Sequence, residues 1–447
     1  LYAKDKKVPL KKGTRFEQLE LFNKVLHLVE TQYYRQVDTS KLIEGAIKGM
    51  METLDPHSAF LNKEFFKKMK DDTSGEFGGL GIEVTMKDGI IYVVTPIEDS
   101  PAYKVGIKAR DKIVEIDHES ILGWTLDQAI EKMKGKESTK IHLGVIREGV
   151  KGLKHFELKR QKIKIQSVKS DIVEDDFIFL RLVSFQERSS QSIIKHFKKQ
   201  KKIIEKRKRK PRGVILDLRS NPGGLLKQAV NVSSIFLEDG VVVSMESRDP
   251  KKKDIHYVKK SGFKETKLPM IVLINGASAS ASEIVAGALQ DHKRAIIAGS
   301  TSFGKGSVQT VAQIDKQSGI KLTIAQYMTA KGRKIQALGI KPDIEIPEGD
   351  NFAPDDLESR DRYLRERDLR NHLSATIETK EEMTDRLGRE KQDRIKRAER
   401  IKQARKSKKK KKVDDEIFVK FDPKTDFQVL QSINYLKSFT LYQNFLK

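Results

Sequence analysis

Residues 271–289, with the sequence IVLINGASASASEIVAGAL, join a short apolar run to a helical pattern and decide the fold class of the chain. The first four residues are apolar and rich in β-branched side chains, which is typical of a strand buried on both faces of a sheet. Residues 214–218 and 295–298 are further buried strands of this type, and residues 189–208 form a basic helix. Strands that alternate with helices predict an α/β core.

A serine lies where the strand of this segment passes into the helix. Backbone N–H groups at the start of a helix have no partner within the helix, so they can stabilise an oxyanion. The small residues around Ser280 also allow a substrate backbone to approach closely. The segment alone nevertheless favours a structural interpretation, because Ser280 and Glu283 have the spacing of a capping box. A catalytic interpretation needs a base for the hydroxyl group.

The histidines offer no base for this serine. His57 is predicted in a turn, His142 in a β-rich region, and His292 after the helix among charged residues. The G-x-S-x-G elbow of serine hydrolases and the H-E-x-x-H motif of zinc proteases are both absent. A lysine can serve instead if burial keeps its amine neutral.

Lys305 fits that requirement. It lies between two glycines directly after an apolar strand, whereas most of the 88 lysines and arginines fall in solvated charged runs. Gln309 could hold the amine in place without adding charge. A surface lysine in a glycine-rich loop is the structural alternative. The loop does not match the phosphate-binding pattern G-x-x-x-x-G-K-[ST], because a glycine follows the lysine.

Residues 217–224, with the sequence DLRSNPGG, are a third segment of interest. A core strand runs there into a proline–glycine turn. Glycines at such a bend can aim N–H groups into a site. On its own, the segment favours the simpler interpretation of a tight turn.

The composition sets limits on the rest of the molecule. With 447 residues, two to four structural units are expected, and the net charge of +25 favours polyanionic surfaces. The absence of cysteine excludes disulfides and thiolate chemistry. No apolar run reaches the 18 residues of a membrane span. Because the polar, basic N-terminal stretch begins at Leu1, we expect a mature chain whose export signal has been removed.

Three motifs together resemble those of the carboxyl-terminal processing peptidases, the tail-specific protease family of bacterial envelopes and chloroplast lumens. They are D-L-R-x-N-P-G-G at 217–224, A-S-A-S-E at 279–283 and F-G-K-G-x-V-Q at 303–309. The resemblance implies a crotonase- or ClpP-like α/β serine protease core that uses no metal or cofactor. It also assigns roles to individual residues: Ser280 as nucleophile, Lys305 as general base, Gln309 as its support, and Ala281 with either Gly223 or Gly224 as oxyanion donors.

The β-rich region after residue 75 resembles a PDZ domain, a module that binds peptide C-termini. Its expected carboxylate-binding loop is formed by Gly79, Leu80, Gly81 and Ile82. Consecutive N–H groups in such a loop capture a terminal carboxylate, while the peptide adds as a strand to the sheet edge. Where the resemblance implies Arg-Gly after the PDZ helix, this chain has Lys134 followed by glycine, which keeps the charge but lacks the bidentate fork.

The predicted organisation is an α/β multidomain chain with five parts. They are a helical N-terminal region (1–74), a PDZ domain (75–163), the protease core (164–350), a charged helical or disordered insertion (351–414) and a C-terminal segment that returns to the core or to a dimer interface (415–447). The function expected from the resemblance is proteolytic processing or quality control of envelope proteins by cleavage at C-terminal tails.

The expected partners are the C-terminal tails of protein substrates, and the terminal helices allow a homodimer. Nine basic residues at 400–412 predict weak association with anionic surfaces, whereas the scarcity of aromatic residues there argues against specific nucleic-acid binding. The expected location is the periplasm or cell envelope, either soluble or peripherally attached to a membrane. Two alternatives stay open at this point: a non-catalytic PDZ scaffold, and a binder of nucleic acid or anionic surfaces.

Overall fold

The computed structural model describes residues 13–249, 251, 253–315, 318–348, 363–374 and 421–445. Its helices are α1 (Arg15–Gln32), α2 (Thr39–Glu52), α3 (Lys63–Ser74), α4 (Pro101–Lys104), α5 (Leu126–Met133), α6 (Ser189–Lys206), α7 (Leu226–Phe236), α8 (Ala281–Asp291) and α9 (Phe427–Phe445). Its strands are β1 (Ala59–Leu61), β2 (Glu76–Gly79), β3 (Ile82–Lys87), β4 (Ile90–Pro96), β5 (Lys112–Ile116), β6 (Glu119–Ser120), β7 (Lys140–Ile146), β8 (Lys154–Lys159), β9 (Gln161–Lys164), β10 (Val168–Val173), β11 (Phe177–Leu182), β12 (Gly213–Asp217), β13 (Val241–Ser247), β14 (Lys253–Tyr257), β15 (Met270–Ile274), β16 (Ile296–Gly299), β17 (Ser307–Gln313), β18 (Gly319–Thr329) and β19 (Ile344–Glu345).

A six-stranded sheet with the order β10-β11-β12-β15-β16-β19 lies at the centre of the fold, and only the β10–β11 pair is antiparallel. Within β12, Val214 and Leu216 pack in the cluster formed with α6, α7 and α8, whereas Ile215 packs on the opposite face with α9. Because helices cover both faces, these strands are continuous apolar runs rather than alternating ones. The predicted α/β core is confirmed.

The carboxyl ends of β12, β15 and β16 meet at one edge of this sheet. Asp217 pairs with Leu273, and Ile274 pairs with Gly299, so the three strands end side by side. Each strand is followed by one of the three motifs identified in the sequence. The parallel topology therefore brings together segments that are far apart in the chain.

A second sheet has the order β1-β18-β13-β14, and β17 also pairs with β18. The short strand β1 comes from the N-terminal region and places Ala59 opposite Lys321. The sequence predicted two helices in this region, which correspond to α1 and α2. It did not predict α3 or β1, and β1 joins the N-terminal region to a sheet that is otherwise built from residues after 240.

The PDZ-like module contains the sheet β3-β4-β5-β7-β8, with β6 beside β5, and the helix α5. Its core is built from alternating residues of the strands, such as Ile91, Ile113 and Ile141, which are almost fully buried. The strand β3 lies at the edge of the sheet and pairs with β4 alone among the described strands. A separate two-stranded ladder of β2 and β9 connects the module to its neighbours.

The C-terminal helix α9 packs on the central sheet, as the sequence predicted. Val429 and Ile433 are fully buried in the cluster below the sheet. In addition, the Arg219 guanidinium donates to Asp426 at 3.1 Å and to Gln428 at 2.6 Å, so the turn after β12 is tied to α9.

Most of the charged segment predicted as an insertion lies outside the described residues. This holds for 351–362, for 375–414 and therefore for the basic run 400–412, whose binding role stays a prediction. Residues 363–374 are described and lie against the core. Among the described residues, no helix combines the length and the apolar character that crossing a bilayer requires.

Candidate active site

Ser280 is the residue directly before α8, at the amino-terminal end of that helix. Its φ of 55° is unusual for a residue with a side chain and indicates a strained turn. Of the three serines in the motif, Ser278 and Ser282 are fully buried, and their hydroxyl groups donate to the carbonyl oxygens of Leu218 and Asn221. Only Ser280 is partly exposed to solvent. Among these three serines, Ser280 is therefore the accessible one, and its role as nucleophile stays a prediction.

Glu283 holds the backbone of this serine and of the predicted base. Its Oε2 accepts the N–H of Ser280 at 2.7 Å and the N–H of Lys305 at 2.9 Å. Its Oε1 accepts the Ser302 hydroxyl at 2.5 Å and the N–H of Gly304 at 2.7 Å. The carboxyl group is fully buried, which raises its pKa to about 7, although the four donors act in the opposite direction.

Lys305 lies in the loop after β16, where it is partly buried. Burial lowers the pKa of its amine, and Lys321 acts in the same direction, whereas the carboxylates of Glu366, Asp55 and Glu283 oppose the shift. A lowered pKa increases the fraction of neutral amine at a given pH, which is what a lysine base requires.

Gln309 lies on β17, and its side chain is directed into a different hydrogen-bond network from the one expected. Its Nε2 donates to the Ser307 hydroxyl at 2.9 Å and to the Thr323 hydroxyl at 3.2 Å. Thr323 in turn donates to Asp55, which also binds Ser58. The hydrogen bonds of the described residues do not join Gln309 to the Lys305 amine, and its support of the base stays a prediction.

The turn after β12 lies directly against the serine. A Cβ atom on Gly223 would come within 2.8 Å of the Ser280 Cβ and 3.0 Å of the Ala281 nitrogen, and its φ of 101° also requires glycine. The N–H of Gly223 donates to Oδ1 of Asn221 at 2.9 Å. Within the described chain, the N–H groups of Ala281 and Gly224 have no hydrogen-bond partner. Both are therefore available as donors to a substrate.

The predicted carboxylate-binding loop connects β2, which includes Gly79, to β3, which begins at Ile82. The carbonyl oxygens of Leu80 and Gly81 accept hydrogen bonds from Ala102 and from residue 97. In the part of the chain that the structure describes, the N–H groups of Leu80 and Gly81 have no partner. Such a pair of free N–H groups beside an edge strand is a suitable site for a peptide carboxylate.

Lys134, which replaces the expected arginine, lies close to this loop. Its Nζ is 5.3 Å from the centre of the Phe77 ring and 3.6 Å from the carboxylate of Glu131. The adjacent Gly135 donates its N–H to the carbonyl of Gly78 at 3.1 Å. The lysine thus contacts the strand that precedes the carboxylate-binding loop.

Three sets of residues at the site have contacts that the sequence does not predict. The sequence places Glu283 in a capping box and in the A-S-A-S-E motif, but it does not predict that this carboxyl group also binds the Lys305 loop. His57 and Glu366 form a partly buried pair at 2.7 Å but are separated by 309 positions, so no spacing rule connects them. Asn221, at the centre of the D-L-R-x-N-P-G-G turn, has a fully buried side chain that accepts the N–H of Gly223.

Comparison with known proteins assigns families to three parts of the chain. Peptidase family S41 matches residues 176–346, a PDZ domain matches residues 92–147, and the N-terminal domain of the activating protease CtpB matches residues 3–65. Among solved structures, a photosystem II D1 C-terminal processing protease is similar at 28% identity and a TM-score of 0.43, over 74% of this chain and 94% of that one.

Curated relatives match over most of their length. A carboxy-terminal-processing protease of Bartonella bacilliformis is 45% identical over 365 residues, which cover 81% of this chain and 82% of the relative. The carboxy-terminal processing protease CtpA of Bacillus subtilis is 36% identical over 338 residues, 75% of this chain and 70% of the relative. This degree of identity across both the PDZ region and the core shows that the chain belongs to peptidase family S41, as a carboxy-terminal processing protease of the serine type that carries a PDZ domain.

Proposed function

We propose that the protein is an endopeptidase in which Ser280 attacks the scissile carbonyl and Lys305 acts as its general base. The observation that carries this proposal is the shared acceptor: the N–H groups of both residues donate to Oε2 of Glu283. Because a buried side chain holds both backbones at one atom, the backbone segments that carry the proposed nucleophile and base keep a constant relative position. Preorganisation of this kind lowers the entropic cost of reaching the transition state.

The proposed chemistry depends on the protonation state of the Lys305 amine. Neutral Lys305 removes the hydroxyl proton of Ser280 as the oxygen attacks, and the resulting ammonium protonates the leaving amine. The N–H of Ala281 and a glycine N–H of the adjacent turn stabilise the tetrahedral oxyanion. Between the two glycine candidates, the free N–H of Gly224 favours this residue as the donor, while Gly223 provides the space beside the serine. Water then hydrolyses the acyl-enzyme, again with Lys305 as base.

The PDZ domain selects the substrate in this proposal. A disordered C-terminal tail adds as a strand to the free edge of β3, and its carboxylate binds the N–H groups of Leu80 and Gly81. The edge position of β3 and the unpartnered N–H groups support this mode of binding. Binding at the PDZ domain then brings the tail to Ser280 for cleavage.

Envelope proteins are the proposed substrates, and the periplasm or cell envelope is the proposed location, with the enzyme soluble or peripherally attached to a membrane. This part rests on the family alone. A homodimer through the terminal helices is proposed as well. It is supported by α1, which has no buried residue and exposes Phe16, Leu19 and Val25. Cell fractionation tests the proposed location, and light scattering of the purified chain tests the homodimer.

Cleavage of an unfolded model substrate by Ser280→Ala and Lys305→Ala variants tests the catalytic assignment. Both variants are expected to lose activity while their circular dichroism spectra and melting temperatures show an intact fold. Lys341→Ala, which removes an exposed lysine, is the matched control and should cleave at the wild-type rate. Wild-type activity in the Ser280→Ala variant would contradict the proposal. If the Ser280→Ala variant is inactive, mass spectrometry of the proteins it traps identifies the natural substrates.

A further inference from the structure

Residues 363–374, which we call the strap, lie across the candidate active site. The Tyr363 hydroxyl accepts a hydrogen bond from Asn275 at 3.0 Å, and a Cβ on Gly276 would come within 2.6 Å of the Tyr363 Cβ. At the other end, the carbonyl of Ser374 accepts from Gln326 of β18 at 3.0 Å. The strap is therefore packed on the turn before the nucleophile and on the strand that pairs with β17.

Glu366, in the middle of the strap, is fully buried and holds both sides of the Lys305 loop. Its N–H donates to the carbonyl of Phe303 at 3.1 Å. Its carboxylate accepts from Nε2 of Gln336 at 2.9 Å, and Oε1 of the same glutamine accepts the N–H of Gly306 at 2.9 Å. The loop is thus fixed two residues before and one residue after the lysine.

The carboxylate of Glu366 also contributes to the charge around the amine. The Glu366 carboxylate on the strap opposes the burial-lowered pKa of Lys305, as do Asp55 in the turn after α2 and Glu283 on α8. Lys321 on β18 lowers that pKa further. The two other carboxylates are engaged by several donors of their own.

His57 binds the Glu366 carboxylate directly, with its Nε2 at 2.7 Å, and only 14% of the histidine side chain is exposed. Gln336 is the other polar side chain on this carboxylate. A buried carboxylate with two such partners has a defined orientation, because leaving it unpaired would be costly. The N-terminal region, which supplies His57, thereby contributes to the position of the strap.

We propose that Glu366 is a positioning residue for the base: it fixes the loop on both sides of Lys305 and holds a carboxylate against that loop. This inference rests on Lys305 being the base of the proposed reaction. It assigns a role in catalysis to the strap, a segment outside the three motifs, and to its buried contact with His57.

The test is a steady-state pH profile of the full chain with Glu366→Gln and Glu366→Ala, using one tail-bearing unfolded substrate. Glutamine keeps the shape and removes the charge, so the acid limb of kcat should shift to lower pH by roughly 0.5 to 1 unit, because an anion near an ammonium favours the charged form. Alanine also removes the loop contacts, so kcat should fall about tenfold or more at every pH with little change in KM. The kcat of Glu366→Gln is therefore expected to lie between those of Glu366→Ala and the wild type.

Glu174→Gln is the matched control, since it removes a carboxylate from the core surface, where Glu174 pairs with Lys437. Its profile should superimpose on that of the wild type. An acid limb of Glu366→Gln that coincides with the wild type would overturn the inference, even if the variant were less stable. The Lys305→Ala variant distinguishes failure of the Glu366 role from failure of the proposed function. If Lys305→Ala is inactive while Glu366→Gln shows no shift of the acid limb, only the role of Glu366 fails. If Lys305→Ala keeps its activity, the proposed function itself fails.

Discussion

Ser280 and Lys305, which are 25 positions apart, donate their backbone N–H groups to the same carboxylate oxygen of Glu283. The strained backbone of Ser280 and the glycine-flanked loop of Lys305 are thus held by one buried side chain. The arrangement makes the backbone position of Ser280 depend on that of Lys305. It also explains how two loops from different strands can form one site without a hydrogen-bonded histidine.

Glu283→Gln should therefore lower kcat, by roughly 100-fold, because the amide replaces one acceptor oxygen with an NH2 group that faces other donors. The measurement is kcat and KM on an unfolded substrate, with melting temperature as a check on folding. Glu17→Gln is the control, since Glu17 completes the exposed capping box of α1 and lies outside the site. Unchanged kcat in Glu283→Gln would show that the shared acceptor has no part in catalysis.

The rate should rise with pH through the ionisation of Lys305. Burial places the pKa of this amine below its ordinary value of 10.5, so the neutral base is populated at lower pH than for a free lysine. As the pH falls through that pKa, the amine becomes protonated and activity is lost. The profile of kcat/KM against pH measures this transition in the free enzyme. A flat profile from about pH 5 to 9 would contradict a lysine base.

Lys305→Met should stabilise the fold at neutral pH. Where the Lys305 amine stays charged in the folded protein, its burial lowers the free energy of unfolding. This loss shrinks as the pH rises toward 10.5, the pKa of the amine in the unfolded chain. The gain in melting temperature should therefore be largest near neutral pH and shrink on the alkaline side. Calorimetry of both proteins at several pH values provides the comparison. A loss of stability at pH 7 would indicate that the surrounding carboxylates outweigh burial.

Gly223→Ala should lower kcat by about 100-fold or more, because the new methyl group would meet Ser280 and the Ala281 nitrogen and displace an oxyanion donor. Gly262→Ala is a close control: its φ is 103° compared with 101° at Gly223, but its Cβ would meet no atom within 4 Å. Both substitutions carry similar backbone strain, so a difference in activity reports the contact with the site. Equal effects in the two variants would assign the loss to strain alone.

Gly81→Ala should weaken the binding of a tail peptide to the PDZ domain by about tenfold or more, since the methyl group would come within 2.2 Å of Ser100 and displace the carboxylate-binding loop. Gly89→Ala has the same φ of 74° with open space around it, and its affinity should match that of the wild type. Fluorescence anisotropy of a labelled C-terminal peptide measures both. The same peptide with an amidated C-terminus should bind neither variant tightly, because the loop recognises the carboxylate.

The sequence was sufficient to predict the elements that carry local signals. The buried strands, the helix after Ser280 and the helix α5 have periodicities and flanking residues that identify them, and parallel topology explains why three motifs converge. The contacts around Lys305 depend on tertiary pairing instead. His57 and Glu366 meet because the strap and the turn after α2 both pack on the second sheet, and no periodicity in either segment reports that. The side chain of Gln309 likewise binds Ser307 on β17 and Thr323 on β18, contacts that its motif does not predict.

The pairing of β1 with β18 limits where the chain can be shortened. A recombinant fragment that starts at the PDZ domain would lack β1, and the backbone of β18 around Lys321 would become an open edge. It would also lose Asp55 and Ser58, which bind Thr323 of that strand. Open edges invite pairing between molecules. Such a fragment should aggregate during purification, so crystallisation or screening projects need the segment from the first turn of α2 onward.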